Sequence, residues 1–228
     1  MENTQPLYQH LAMKLEEAIR AGHYAPGDKL PSENQLCQSF GVSRITVRQA
    51  MNVLTQKDLV SAVHGKGTFV KNPVIRHDLD RIVSFRKILQ DQGLQGYTKI
   101  QSMEAMGGTV RLNLMGYAGG KPIVYYRSEF PEALGRKMHA AAVAAEQAGR
   151  AFSTYDLYQE VGQAVARVHQ TLRADNADPE LTERMELPRG KAVLILESDY
   201  YGPQGELLEK KIACYHSDIY SFRLHRHL

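Results

Sequence analysis

Arg44 and Arg48 stand one helical turn apart on a segment whose other side is apolar, so two guanidinium forks share one direction. A guanidinium fits the paired acceptors of a guanine edge, or a phosphate, bidentately, and the chemistry on offer is recognition of nucleic acid. Thr46 and Gln49 add a hydroxyl and an amide to the same segment. The plain alternative is a solvated helix face, where an arginine pair at this spacing is common. The flanking residues bear on that choice.

The supporting elements are legible in "LPSENQLCQSFGVSRITVRQAMNVL", residues 30–54. Ser32 is placed to cap a helix, Gln35 completes a capping box, Leu36 and Phe40 form its buried stripe, and Gly41 ends it. Ser43 then caps a second helix, on which Val47, Met51 and Leu54 share the apolar face. An earlier helix starts near Pro6, carries Leu7, Leu11, Leu15 and Ile19, and stops at Gly22. In a helix-turn-helix the second helix of the pair enters the major groove, which makes Arg44 and Arg48 the expected readers. "LVSAVHGKGTFV" follows as strand, turn and strand, a wing in which Gly65 and Gly67 permit close approach while Lys66 and Thr68 face phosphate.

Composition agrees with two small globular domains: 228 residues, 43% hydrophobic, with a net charge of +3. Residues 1–76 hold nine Lys/Arg against six Asp/Glu, so the whole basic excess lies at the N-terminal end, as a polyanion partner requires. Cys37 and Cys214 are far apart and inside predicted regular elements, which argues against a disulfide framework or a thiolate zinc site and fits a reducing compartment. No apolar run is long enough to span a membrane, and "MENTQPLYQH" lacks the charged lead and apolar core of a signal peptide, so a cytoplasmic location is expected.

The run "GDKLPSENQLCQSFGVSRITVRQAMNVLTQKDLVSAVHGKGTFV" resembles the winged helix of the GntR family of bacterial transcription regulators. Its Leu-Pro-Ser-Glu, Val-Ser-Arg-x-Thr-Val-Arg and Gly-x-Gly-Thr-Phe-Val stretches occur in the family's order. Position by position, the resemblance implies base or phosphate contacts from Ser32, Ser43, Arg44, Thr46, Arg48, Lys66 and Gly67. The DNA-binding domain is expected over residues 1–71.

"KNPVIRHDLDR" has no apolar periodicity and contains Pro73, so residues 72–81 read as a linker. From 82 to 228 the pattern is α+β: a short helix near 84–92, strands near 98–105, 110–118 and 123–130, helices near 132–147 and 154–160, and a strand near 164–174. A helix opened by Asp178 and Pro179 and two long strands, 192–201 and 207–215, complete it. Short turns between neighbouring strands imply an antiparallel sheet.

This second half resembles the UTRA effector domain of the HutC branch, whose fold is similar to chorismate lyase. The matching stretches are "GGKPIVYYRSEFP", "FSTYDLY" and the run from "VHQTLRADN" to "SDIYSFR". Two positions where many members carry arginines read Leu114 and Gly116 here, and the segment between Met106 and Val110 lacks a helix and turn usual in the family. The resemblance implies an effector-binding and dimerising domain with a polar site at Tyr126, Ser153, Tyr155, Glu209 and Tyr215. Ser84 and Arg86, at the start of the first helix, could receive an anion. Half-buried sheet tyrosines and a surface arginine are the bland alternative. Glu209 implies an effector with a hydroxyl or amine donor as well as an anionic group.

Other constellations are weaker. His225 and His227 alternate as metal ligands do, but without a partnering carboxylate nearby, and no metal or cofactor is expected. His169 and His216 have no nucleophile and acid in triad order, and "GGKPI" is a turn rather than a phosphate loop. The sequence therefore reads as a ligand-responsive regulator, expected to be a repressor, that binds an inverted-repeat operator as a homodimer and is released by a small anionic metabolite. The rival is an enzyme on the lyase-like fold with an appended DNA-binding module, for which no acid–base pair stands out.

Overall fold

A computed structural model of the chain describes residues 6–71 and 74–226, the side chain of Arg20 excepted. Pro73 of the expected linker and His227 lie outside the described residues. The chain divides into two compact units, Met1–Pro73 and Val74–Leu228.

In the first unit, helix α1 (Leu7–Arg20) is followed by α2 (Glu33–Phe40), α3 (Arg44–Gln56) and a hairpin of β1 (Val60–Val63) with β2 (Gly67–Val70). Leu11, Leu15, Leu36, Val47, Ala50, Leu54, Val60 and Val70 form its core. Both expected caps are present: Ser32 Oγ accepts from the Gln35 amide, Gln35 Oε1 accepts from the Ser32 amide, and Ser43 Oγ accepts from the Thr46 amide. Two expected core residues are instead exposed, Leu7 at 67% and Phe40 at 38%. Each is the terminal residue of its helix, beyond the stretch the core covers.

The second unit begins with β3 (Ile75–Asp78), α4 (Phe85–Asp91), β4 (Gly96–Met106), β5 (Thr109–Ala118) and β6 (Lys121–Pro131). There follow α5 (Glu132–Gln147), α6 (Thr154–Glu160), β7 (Arg167–Asn176), α7 (Pro179–Arg184), β8 (Ala192–Tyr201), β9 (Leu207–His216) and β10 (Tyr220–Arg223). Six strands make one antiparallel sheet in the order β4-β5-β6-β9-β8-β7. Strand alternation splits its residues between two layers. Leu112, Leu114, Tyr126, Leu196 and Tyr215 pack with the main core that includes α4, α5 and α6, while Met115, Tyr125, Ile195 and Cys214 pack with Leu181 of α7.

The linker expectation needs correcting. Ile75–Asp78 is a strand, paired in parallel with β10, with Ile75 opposite Tyr220 and His77 opposite Phe222. Ile75 and His77 are buried. The partner strand lies far along the chain, so the hydrogen bonds that order this segment leave no local sequence pattern. Between Met106 and Thr109 the two strands turn directly through Gly107 and Gly108, both at positive φ (53° and 94°), which is the short hairpin geometry that glycine suits.

Gly116 shows why β5 carries no long side chain there. A Cβ at this position would lie 2.7 Å from Val124 Cγ1 and 2.9 Å from Phe85 Cε1. Gly116→Ala is expected to destabilise the second unit by about 1–3 kcal/mol through overpacking. Urea unfolding of the variant measures this, and an unchanged midpoint would contradict the packing.

Candidate DNA-binding face and effector cavity

On α3 the side chains of Arg44, Arg48 and Gln49 are exposed, opposite the buried Val47, Ala50 and Leu54. Thr46 departs from the expected outward face: it is half-buried, with its hydroxyl 2.9 Å from Ser43 Oγ in the helix cap. Sequence reasoning missed two neighbours. Glu33, in the first turn of α2, accepts from Arg48 Nε at 3.0 and 3.2 Å and so aims the rest of the fork. Ile45 is 71% exposed beside Arg44, an apolar contact of the kind a thymine methyl accepts.

At the wing, Gly65 and Gly67 both take positive φ and Lys66 is exposed at the turn. Thr68 is half-buried, and its carbonyl accepts from the Leu30 amide. Lys29, bridged to Phe69, lays its side chain so close to Gly67 that a Cβ there would meet Lys29 Cε at 2.5 Å. Lys29 therefore joins Lys66 as a second cation on the wing. Ser32 and Ser43 are exposed at the starts of α2 and α3, with their hydroxyls occupied by capping.

In the second unit the structure brings Tyr126, Ser153, Tyr155 and Tyr215 to the wall of one cavity. Its free volume is about 30 Å³, room for one or two waters. Ser84 and Arg86 do not line it: Ser84 Oγ caps α4 by accepting from the Lys87 amide, and Arg86, 45% exposed, lies 3.9 Å from Asp156. Glu209 does not line it either. That carboxylate is fully buried behind the wall, accepting from Thr154 Oγ1 at 2.7 Å and Tyr158 Oη at 3.0 Å. Its donors come from the protein, so it makes no demand for an amine on the effector.

The cavity wall also holds groups the sequence reading passed over: His77, Gln170, Tyr200, Lys211 and Tyr220. Lys211 Nζ donates to Tyr200 Oη at 2.6 Å and Thr154 Oγ1 at 3.1 Å, with Glu209 at 3.9 Å. Burial disfavours its charge, but Glu209 and Tyr200 more than offset this and hold the amine above the ordinary lysine value. A signal for Lys211 was available. Positions 209, 211 and 215 share one face of β9, so naming Glu209 and Tyr215 already implied that the lysine between them points inward. Burial raises the Tyr126, Tyr200, Tyr215 and Tyr220 phenols above their usual range, so these remain neutral donors and acceptors.

His225 lies 3.3 Å from Asp78, and no group of three His, Cys, Asp or Glu among the described residues could hold a metal. Both cysteines are free. No helix among the described residues is long and apolar enough to cross a membrane.

Residues 7–70 match the profile of "Bacterial regulatory proteins, gntR family", and residues 82–221 match the UTRA domain. The chain belongs to the GntR family and carries a UTRA domain. It is 27% identical over 229 residues to the mannosyl-D-glycerate transport/metabolism system repressor MngR of Escherichia coli (strain K12), covering 96% of this chain and 95% of that relative. It is 25% identical over 233 residues to the HTH-type transcriptional repressor NagR of Bacillus subtilis (strain 168), covering 95% and 93%. The crystal structure of PhnF from Mycobacterium smegmatis shares the fold, with a TM-score of 0.71 at 19% identity over 95% of this chain and 99% of that one. This GntR-family chain is thus a DNA-binding transcription regulator and not an enzyme.

His77 makes the second unit of this regulator acid-sensitive. Burial lowers its pKa from 6.5 to about 4, with Asp78 opposing the shift and Lys211 adding to it. Between those values the unfolded chain binds a proton that the folded chain excludes. Stability is therefore full above pH 6.5 and falls as the pH drops toward 4, by about 3 kcal/mol from this group. Urea unfolding from about pH 7 to 4.5 is expected to show that slope in the wild type and a shallower one in His77→Phe.

Proposed function

We propose that this regulator is a repressor that binds an inverted-repeat operator as a homodimer in the cytoplasm and releases it when a small anionic metabolite fills the cavity of the second unit. The observation that carries this reading is a narrow polar cavity whose wall includes His77 of β3, the strand that follows the DNA-binding unit in the chain. A space of about 30 Å³ admits a metabolite only if part of the wall gives. The partly buried Ile82 and Val83, between β3 and α4, are the irregular part of that wall. Displacing them bears on the segment from which the winged helix hangs. Operator and effector then oppose each other by one coupling free energy, typically about 1–3 kcal/mol.

The relatives support the chemistry. MngR is named for mannosyl-D-glycerate, which carries a carboxylate, and it and NagR are both named as repressors. One recognition helix reads too few base pairs to mark a genomic site, which favours a twofold dimer on half-sites about one helical turn apart. A metabolite panel of sugar phosphates and sugar acids, added to protein bound to its operator, tests the reading. It predicts that at least one member raises the operator dissociation constant about 5- to 150-fold.

Recognition is tested by substitution. Arg44→Ala and Arg48→Ala are each expected to cost about 1–3 kcal/mol of specific binding and leave unfolding unchanged, since both side chains are exposed. Lys66→Ala is expected to weaken binding to all sequences and flatten the salt slope by about 0.9. Fluorescence anisotropy at several salt concentrations separates the two effects, and wild-type operator affinity in Arg48→Ala would remove α3 from the reading. Protection of a single half-site by a chain that sediments as a monomer at micromolar concentration would remove the dimer.

A further inference from the structure

We propose that Lys211 is the group that grips the effector's anionic moiety, a carboxylate or phosphate, in the cavity of the second unit. The inference rests on the reading of that cavity as the effector site and specifies which charge selects the occupant. Among the residues that line the cavity, Lys211 is the one lysine or arginine. β5 contributes no residue to the lining: Leu114 is fully buried, and Gly116 is pressed against Val124 and the Phe85 ring. Arg86 sits outside the lining, beside Asp156.

The geometry prepares the amine for an anion. The Lys211 side chain is 6% exposed, and its ammonium has three protons. Tyr200 and Thr154 take two of them. Glu209 Oε1 is 3.9 Å away, too far for a hydrogen bond, and each of the carboxylate oxygens already accepts one from α6, from Thr154 and from Tyr158. Glu209 therefore keeps the amine charged from behind the wall without capping it, and the third proton remains for an occupant. The surrounding Ser153, Gln170 and tyrosine hydroxyls supply neutral hydrogen-bonding groups, which suits the hydroxylated remainder of a small polar metabolite. A neutral hydroxyl can accept that proton but brings no charge to pair with the ammonium, and a charge-assisted hydrogen bond to a carboxylate or phosphate is roughly twice as strong, so the site favours negative charge.

The test uses the full-length protein with its lysine side chains labelled at 13Cε, titrated in separate arms with inorganic phosphate and with D-glycerate at constant ionic strength. Glycerol is the neutral control. The Lys211 resonance, assigned through Lys211→Arg, is expected to shift saturably in at least one anion arm and not with glycerol, and the responding arm tells phosphate from carboxylate. Lys211→Met is expected to weaken that binding about 10-fold or more. Because this variant strands Glu209, the double variant Lys211→Met with Glu209→Gln, which removes both charges together, is measured beside it. Undiminished anion binding in these folded variants would overturn the role of Lys211 and leave the cavity reading standing. A Lys211 resonance unmoved by either anion up to about 100 mM, a range that reaches even very weak binding, would overturn both.

Discussion

A carboxylate removed from water must be met by donors, and in this protein Glu209 sets that requirement. It is fully buried on β9, and both hydroxyls that satisfy it, Thr154 and Tyr158, come from α6. Thr154 also accepts from Lys211, so a single hydroxyl passes the hydrogen bond from cation to anion. The chain of contacts clamps α6 onto the sheet, and the helix start is closed by Asp156, which accepts from the amide and hydroxyl of Ser153. Tyr200, paired in register with Glu209 on β8, takes the other hydrogen bond of Lys211. Breaking a buried pair by removing one partner typically costs about 3–5 kcal/mol, so these residues move as a unit or not at all. Lys211 and Tyr200 of this unit also line the cavity, whereas the lining residues Ile82 and Val83 lie outside helix and strand and outside this network.

The DNA-binding unit solves a different problem with weaker forces. The side chains proposed to read the operator, Arg44 and Arg48, lie in water, so they contribute little to stability. Arg48 is 67% exposed, and its pair with Glu33 has the low worth of a surface ion pair. The use of that pair is orientation: one edge of the guanidinium is held by α2, and the remaining donors face outward. The caps at Ser32 and Ser43 likewise fix where α2 and α3 begin, and thereby where Arg44 emerges.

Local chemistry was the legible part of the sequence. Caps, stops and apolar spacing locate α1, α2 and α3, because each is decided by residues within a few positions of one another. The long strands of the sheet are legible for the same reason, as alternation over ten residues is hard to mistake. What was not legible depends on partners distant in the chain. β3 looks like linker because its order comes from β10, almost 150 residues later. Glu209 reads as a ligand-facing carboxylate until Thr154 and Tyr158 are seen to satisfy it. Arg86 reads as an anion-binding group until Asp156 is found beside it. Burial and charge pairing are properties of the folded neighbourhood, and residue type alone cannot assign them.

The pairing of β3 with β10 also gives the cavity a route of influence along the chain. His77 on β3 is within hydrogen-bond distance of Tyr220 on β10 through Nδ1 and the phenol oxygen, at 3.0 Å, and Tyr220 packs against Tyr215 with ring centroids 4.2 Å apart. All three line the cavity. A ligand that shifts Tyr220 acts on the pairing of β10 with β3, in which Tyr220 stands opposite Ile75, and residue 74 is where the second unit begins. A ligand changes an equilibrium only by the difference in its affinity for the two states. On the proposed reading, a space of about 30 Å³ makes that difference large, because a metabolite would fit only where part of the wall has given. The small size of the space would in that case be what lets occupancy act on β3, the strand that follows the DNA-binding unit in the chain.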